Sequence, residues 1–179
     1  MLANIRAHSF MVARVAEAIV TNLLLPEDMV PPHPDLVRAG ALLHDIAKTE
    51  CLDGSCRHAE RGQEICEKNG YPEIGVIVGE HVYLSTFAPD EYARGCFSAC
   101  ELVYYADKRV KHDRVVGLEE RLAYIIDRYS DGSDHINQRI RENFNVCIEL
   151  EDYLFSFLPF RPDELADKVK NAPYVPETA

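Results

Sequence analysis

Apolar residues recur at intervals of three and four along most of the chain, which is the spacing of one face of an α-helix. The runs at 5–24 and 36–46 follow this spacing; the first ends before Pro26, and Asp35 stands where it would cap the second. Further helices are predicted at 58–68, 97–106, 115–129 and 133–158, whereas 74–83 fits a helix or a strand and 87–95 resembles a mobile loop. Since alternation with a period of two is almost absent, we expect an all-α bundle of about six to eight helices.

These segments fit one domain at 1–172, with a metal-site part at 1–114, C-terminal helices at 115–172 and a tail at 173–179. The net charge of −11 opposes binding to a nucleic acid polymer, because such binding depends on basic contacts to phosphates. Neither a secretory signal nor an apolar stretch long enough to cross a membrane is found. We therefore expect a soluble, cytoplasmic protein with no membrane partner.

Six cysteines are present, at positions 51, 56, 66, 96, 100 and 147. The pairs that are close in sequence, Cys51 with Cys56 and Cys96 with Cys100, lack the C-x-x-C spacing of a zinc or redox motif. Because 47% of the residues are hydrophobic, the chain can build a core without disulfides. All six are predicted to be reduced thiols.

Six potential metal ligands lie inside or at the end of apolar segments: His8, His44, Asp45, His58, His81 and Asp107. A polar side chain directed at a core needs a partner there. One histidine on an apolar stripe is usually an ordinary core residue, but six such residues on five segments indicate a shared site. Lys48 follows Asp45 by three residues, which places it on the same side of a helix, where it could pair with a carboxylate or hold a phosphate oxygen.

In their order, these residues resemble the signature of the HD-domain metal-dependent phosphohydrolases, which is an early histidine, a His-Asp doublet and a distant aspartate. His8, the doublet His44-Asp45 and Asp107 match it. The segment at 41–48, ALLHDIAK, is similar to the HDIG-type core of that family, with alanine where glycine is common. His58 and His81 match the two histidines that the binuclear branch adds. The resemblance covers roughly the first two-thirds of the chain.

The resemblance implies a centre of two divalent transition-metal ions bridged by Asp45. One ion would be held by His8, His44, Asp45 and Asp107, and the other by Asp45, His58 and His81. Mixed imidazole and carboxylate ligands suit Fe, Mn, Co, Ni or Zn. The implied reaction is hydrolysis of a phosphate ester or anhydride, with a hydroxide between the metals as the nucleophile, oriented by Asp45.

Basic residues near these ligands are candidates for substrate contacts. Lys48 would stabilise the phosphoryl group or the leaving oxygen, which makes it a predicted catalytic residue beside Asp45. Lys108 and Arg109 directly follow the last ligand, where local positive charge would attract an anion, although a solvated helix start is equally consistent. Arg61 lies three residues after His58 and would either bind phosphate or form a surface ion pair.

Within the family, Lys48 occupies the position at which deoxynucleoside monophosphatases and alarmone hydrolases carry an acid, and Val82 follows His81 where cyclic dinucleotide phosphodiesterases carry a second histidine. The HDIAK, HA-x-x-G and ADK segments are most similar to small bacterial HDIG proteins, including symmetrical dinucleoside tetraphosphate hydrolases. A nucleotide or dinucleoside polyphosphate is therefore the expected substrate. An HD-fold diiron oxygenase and a non-catalytic metal- or nucleotide-binding sensor remain alternatives, and the long C-terminal helix could complete the core or form a homodimer.

Overall fold

The computed structural model describes residues 1–130 and 132–171, and the chain is mostly helical. The described part contains nine α-helices, a 3-10 turn at Pro162–Glu164 and a two-stranded hairpin. The helices are α1 (Ala3–Val20), α2 (Pro34–Leu43), α3 (His58–Lys68), α4 (Pro72–Glu80), α5 (Pro89–Tyr92), α6 (Ala99–Lys108), α7 (Leu118–Tyr129), α8 (Asp134–Ser156) and α9 (Leu165–Asn171). Antiparallel strands β1 (Val110–Lys111) and β2 (Arg114–Val115) follow α6. The predicted all-α bundle is confirmed, with α5 and α9 too short for periodicity to reveal.

Helix α1 lies at the centre of the bundle and packs against α2 and α6, while α4 packs against α2, α3 and α6. In α1, the residues Val12, Val15 and Ile19 are fully buried, in line with the predicted apolar face of this helix. Helices α7 and α8 pack against each other, and α8 also contacts α6. Among the described helices, none is long and apolar enough to cross a membrane. The C-terminal helices α8 and α9 therefore pack onto the group formed by α1, α2, α4 and α6, through contacts with α6 and α1.

Local sequence signals explain several helix boundaries. At the start of α2, Pro34 occupies the first turn and the His33 side chain accepts a hydrogen bond from the Asp35 backbone, so the predicted cap at Asp35 is wrong by two residues. Pro72 likewise begins α4, so the ambiguous segment at 74–83 is helical as far as Glu80. Ser98 and Glu101 form a capping box at the start of α6.

Two buried glycines allow α4 to lie close to its neighbours. A Cβ atom at Gly62 on α3 would stand 2.6 Å from Val78 Cγ1, and one at Gly40 on α2 would stand 2.6 Å from Ile77 Cγ2. Both distances are shorter than atoms tolerate in a close-packed interior. Glycine at these positions therefore sets the separation of the helices that carry the site.

Three local predictions differ from the structure. The segment at 87–95, predicted as a loop, includes α5, whose Tyr92 is buried against aromatic neighbours. The helix start considered as one alternative for Lys108 and Arg109 is not found, because Lys108 ends α6, Arg109 follows it and the hairpin comes next. Cys51 and Cys56 form a disulfide, so the prediction of six reduced thiols is wrong for this pair. The five-residue separation was too wide for a C-x-x-C motif, but the turn between them brings their Cα atoms within 5.0 Å. The predicted tail at 173–179 lies outside the described residues.

Candidate metal centre

The six predicted ligands meet in the centre of the bundle, five of them at or next to helix ends and His8 inside a helix. His8 lies within α1 and Asp107 in the last turn of α6, whereas His58 is the first residue of α3. The doublet His44-Asp45 follows the last residue of α2, and His81 follows α4 in the same way, so the doublet is not inside a helix as predicted. His44, Asp45 and His81 are almost completely buried. Helix ends therefore supply five of the six side chains of the cluster.

Asp45 connects two groups of histidines. Its Oδ1 atom lies 3.3 Å from His58 Nε2 and 3.6 Å from His81 Nε2. Its Oδ2 atom lies 3.4 Å from His44 Nε2. The ligand atoms of two sets, His8 with His44 and Asp45, and Asp45 with His58 and His81, each lie within 4.8 Å of one another. A carboxylate with its two oxygens facing different imidazole groups is suited to bridging two cations.

Asp107 lies beside the first of these groups. Its Oδ1 atom is 3.0 Å from His8 Nε2 and 3.9 Å from His44 Nε2. The same oxygen is 3.3 Å from Arg121 Nη2, and the guanidinium partly neutralises the charge of the carboxylate. Asp107 therefore lies close to His8 and His44 but is not in the set of ligand atoms within 4.8 Å of one another, and its role as a further ligand stays a prediction.

Backbone carbonyls fix the protonation of three imidazoles. His44 Nδ1 lies 2.7 Å from the Ala41 carbonyl oxygen, and His81 Nδ1 lies 2.6 Å from that of Val78. His8 Nδ1 lies 3.0 Å from the carbonyl oxygen of His112. A carbonyl only accepts hydrogen bonds, so Nδ1 carries a proton in each case, and Nε2 is the ring atom left to bind a metal ion. These Nε2 atoms point into the cluster, as metal-binding imidazoles require.

Buried atoms without partners test whether the cluster fits metal ions. His44 Nε2 and Asp45 Oδ1 are buried and have no hydrogen-bond partner in the described structure. Orphaned buried acceptors are rare because desolvation without a partner is unfavourable. Four imidazoles and two carboxylates form a donor set that suits divalent transition metals. The residues present therefore fit the ions that the resemblance implies.

Burial and mutual charges shift the pKa values of the cluster. Burial alone would raise the pKa of Asp45, but the neighbouring His44 and Lys48 outweigh it and hold that pKa well below its usual range. Burial lowers the pKa of His58 to about 4, with a further contribution from His81. Burial also lowers the pKa of His81. These shifts keep Asp45 ionised and His58 and His81 neutral near pH 7, which are the states that bind metal.

A cavity of about 380 Å³ opens onto the cluster. His58, His81 and Asp107 line one part of its wall, together with the cationic side chains of Lys48, Lys108 and Arg121. Lys48 Nζ lies 2.8 Å from Asp45 Oδ2 and remains partly exposed. Lys108 is buried and donates a hydrogen bond to the His81 carbonyl oxygen at 2.9 Å. Both lysines therefore stand where the sequence placed them, at the edge of the cluster.

The two predicted arginines do not line this cavity. Arg61 is partly exposed and forms ion pairs with Glu50 at 2.9 Å and Glu64 at 3.0 Å, the surface alternative considered above. Arg109 is buried, but its guanidinium pairs with Glu151 at 2.8 Å and donates to the Pro162 carbonyl oxygen. It thus ties α6 to the C-terminal part of the chain. Neither is brought to the site as predicted: Arg61 is held by surface carboxylates, and Arg109 lies just beyond the end of α6 and directs its side chain away from that of Lys108.

Sequence reasoning missed Arg121 and the cavity wall formed by α7 and α8. Arg121 is 6% exposed, and besides its contact to Asp107 its buried Nε atom has no partner. The available signal was the spacing of Arg121, three residues after Leu118 and four before Ile125, which places it on the apolar face of the predicted helix. The contact of His112 with His8 was also not predicted. It is made by the backbone carbonyl of His112, which the left-handed backbone (φ 57°) directs to His8, and residue type does not reveal such a contact.

Comparison with known proteins agrees with this geometry. The profile of the HD domain matches residues 5–132, which includes all six clustered residues and continues through α7. Comparisons with curated proteins and with solved structures gave no significant match. The HD domain is a family of metal-dependent phosphohydrolases. With well over half of its length matched and the His-Asp cluster assembled, the chain belongs to the HD domain family.

Proposed function

We propose that the protein is a phosphohydrolase that cleaves phosphate esters or anhydrides at a centre of two metal ions. The observation that carries the proposal is the position of Asp45, whose two carboxylate oxygens face separate groups of imidazoles at 3.3 to 3.6 Å. His8, His44, Asp45 and Asp107 would hold one ion, and Asp45, His58 and His81 the other. When bound, such ions lower the pKa of water and neutralise charge that develops on phosphoryl oxygens.

The chain's own residues prepare the site for an anion. Carbonyl contacts orient the imidazoles, and the low pKa of Asp45 keeps its carboxylate charged. Lys48 would stabilise the phosphoryl group or the leaving oxygen, because its ammonium lies beside Asp45 and reaches the cavity. Lys108 and Arg121 add positive charge on the same wall. This local charge favours a small phosphorylated molecule despite the net charge of −11.

The family resemblance adds nucleotides and dinucleoside polyphosphates as the first substrates to assay. The test measures phosphate release by protein reloaded with Mn²⁺, Fe²⁺ or Zn²⁺, alongside metal-stripped protein and the Asp45→Ala variant. We expect release only from the reloaded wild type. Turnover by metal-stripped Asp45→Ala would overturn the proposal. Oxygen consumption with iron and no phosphate release would instead indicate the oxygenase alternative, and tight binding without either activity would indicate a sensor.

A further inference from the structure

Two kinds of side chain line the cavity: cations with metal ligands, which we call its polar part, and apolar side chains, which we call its apolar part. Lys48, Lys108 and Arg121 belong to the polar part. The apolar part is formed by side chains of α7 and α8, namely Ile125, Ile136, Ile140 and Phe144. We name these four residues the apolar wall. A cavity built in this way orients a molecule that has an anionic end and an apolar end.

Arg121 in the polar part pairs with Asp107 through Nη2, but its Nε donor has no partner within the described residues. Arg121 lines the cavity, is 6% exposed and leaves its buried Nε atom without a hydrogen bond. Leaving a charged donor in this condition is unfavourable unless a ligand satisfies it. An anionic group at this end of the cavity would do so, as guanidinium groups bind phosphate well.

The apolar part offers little that could recognise hydrogen-bonding groups. Asn143 also lines the cavity, but its Nδ2 donates to the Val82 carbonyl oxygen at 3.0 Å and its Oδ1 accepts from the Tyr104 hydroxyl at 2.8 Å. Tyr83 and Tyr129 also line the cavity, but both are about half exposed, whereas the apolar wall is buried or partly buried. A site that selects a nucleobase presents convergent polar groups to its edge, and the apolar wall has none.

We infer that the apolar wall is a subsite for the organic group of a phosphate monoester, and that this group is an apolar ring or chain rather than a sugar or a polar alcohol. The inference rests on the proposed phosphohydrolase function, since the wall lies beside the ligand cluster in the same cavity. A volume of about 380 Å³ is at the lower end for small-molecule sites, which favours a compact monoester over a dinucleoside polyphosphate.

Neighbouring isoleucines on α7 provide a matched test. Ile125 lines the cavity, whereas Ile126 does not, and both are partly buried and pack against the core. The probes are 1-naphthyl phosphate, with an aromatic leaving group, and glycerol 2-phosphate, with a polar one. We expect Ile125→Ala to lower kcat/KM for 1-naphthyl phosphate by about tenfold and to change that for glycerol 2-phosphate by less than about twofold. Ile126→Ala should leave both values within about twofold of the wild type.

Binding to metal-stripped protein separates this inference from the proposed function. Calorimetry should detect binding of 1-naphthyl phosphate that Ile125→Ala weakens and Ile126→Ala does not. If no ester is hydrolysed but this pattern of binding is found, the proposed function fails and the subsite stands. Equal kcat/KM for both probes, a preference for nucleotides over 1-naphthyl phosphate, or equal effects of the two substitutions would overturn the subsite.

Discussion

The Nζ atom of Lys48 lies 2.8 Å from Oδ2 of Asp45, three residues earlier in the chain. The contact holds an ammonium beside the carboxylate that connects the two histidine groups, and Asp45 raises the pKa of Lys48 against the opposing effect of burial. Lys48 also lines the cavity, so the same charge is available to an incoming phosphate. The pairing places a positive charge beside the predicted metal ligands, and this charge comes from a residue that is not itself a ligand.

Replacing Lys48 should therefore affect turnover more than metal content. We expect Lys48→Ala to lower kcat by about 100-fold, which is typical when one preorganised charge-stabilising donor is removed. Kinetics and elemental analysis on the same preparation measure both quantities. Lys68→Ala, on an exposed residue at the end of α3, serves as the control and should behave as the wild type. Loss of metal together with activity in Lys48→Ala would show that Lys48 supports the ligands instead.

The second metal position should depend on His58 and His81. Protein purified without chelator is expected to contain about two transition-metal ions per chain, and the double variant His58→Ala/His81→Ala about one, since the first group of ligands remains intact. Elemental analysis per chain measures this directly. A value of about one ion in both proteins would remove His58 and His81 from the centre and contradict the binuclear interpretation.

The stability of metal-stripped protein should depend on pH through His58. Burial lowers its pKa to about 4 in the folded protein, against about 6.5 in an unfolded chain. Between these values the unfolded state binds more protons, so the free energy of unfolding decreases as the pH falls from 6.5 to 4. In His58→Gln this contribution is absent. Urea denaturation of both proteins should show the stability of the wild type, relative to the variant, decreasing over this range; a constant difference would contradict the prediction.

The disulfide predicts a specific thiol count. Without reductant, denatured protein should show the four free cysteines, and after reduction all six. Six thiols without reductant would support the original prediction of reduced cysteines. Because the cross-link closes a short loop, the Cys51→Ala/Cys56→Ala variant should lose about 2 kcal/mol of unfolding free energy. Reduction of the wild type should produce the same loss.

Close packing at Gly62 should be measurable as a coupling between two residues. Gly62→Ala places a methyl group against Val78, and we expect it to lower the free energy of unfolding by about 1–3 kcal/mol. Val78→Ala removes the opposing group, so the double variant should be more stable than the sum of the single effects predicts. Additive effects in urea denaturation would show that the added methyl group does not clash with Val78.

Helix positions followed from the sequence with good accuracy where the apolar pattern was long. The segment at 58–68 coincides with α3, and 133–158 contains α8. Short elements such as α5 escaped because four residues do not establish a period. The hairpin was missed because each strand has only two residues, too few to establish a period, and its turn depends on the left-handed backbone of His112.

From the sequence alone came the helical class, the six residues of the cluster and the expectation of Lys48 and Lys108 beside them, because residue type and periodicity are local properties. Tertiary structure decided which charges share the cavity. It directed Arg109 to Glu151 and left Arg61 in surface ion pairs, while it brought Arg121 to Asp107. It also joined Cys51 to Cys56 and placed apolar side chains of α7 and α8 in the same cavity as the metal ligands. Contacts between residues that are distant in the chain depend on how the helices pack, and the pattern of residues within one helix does not specify that packing.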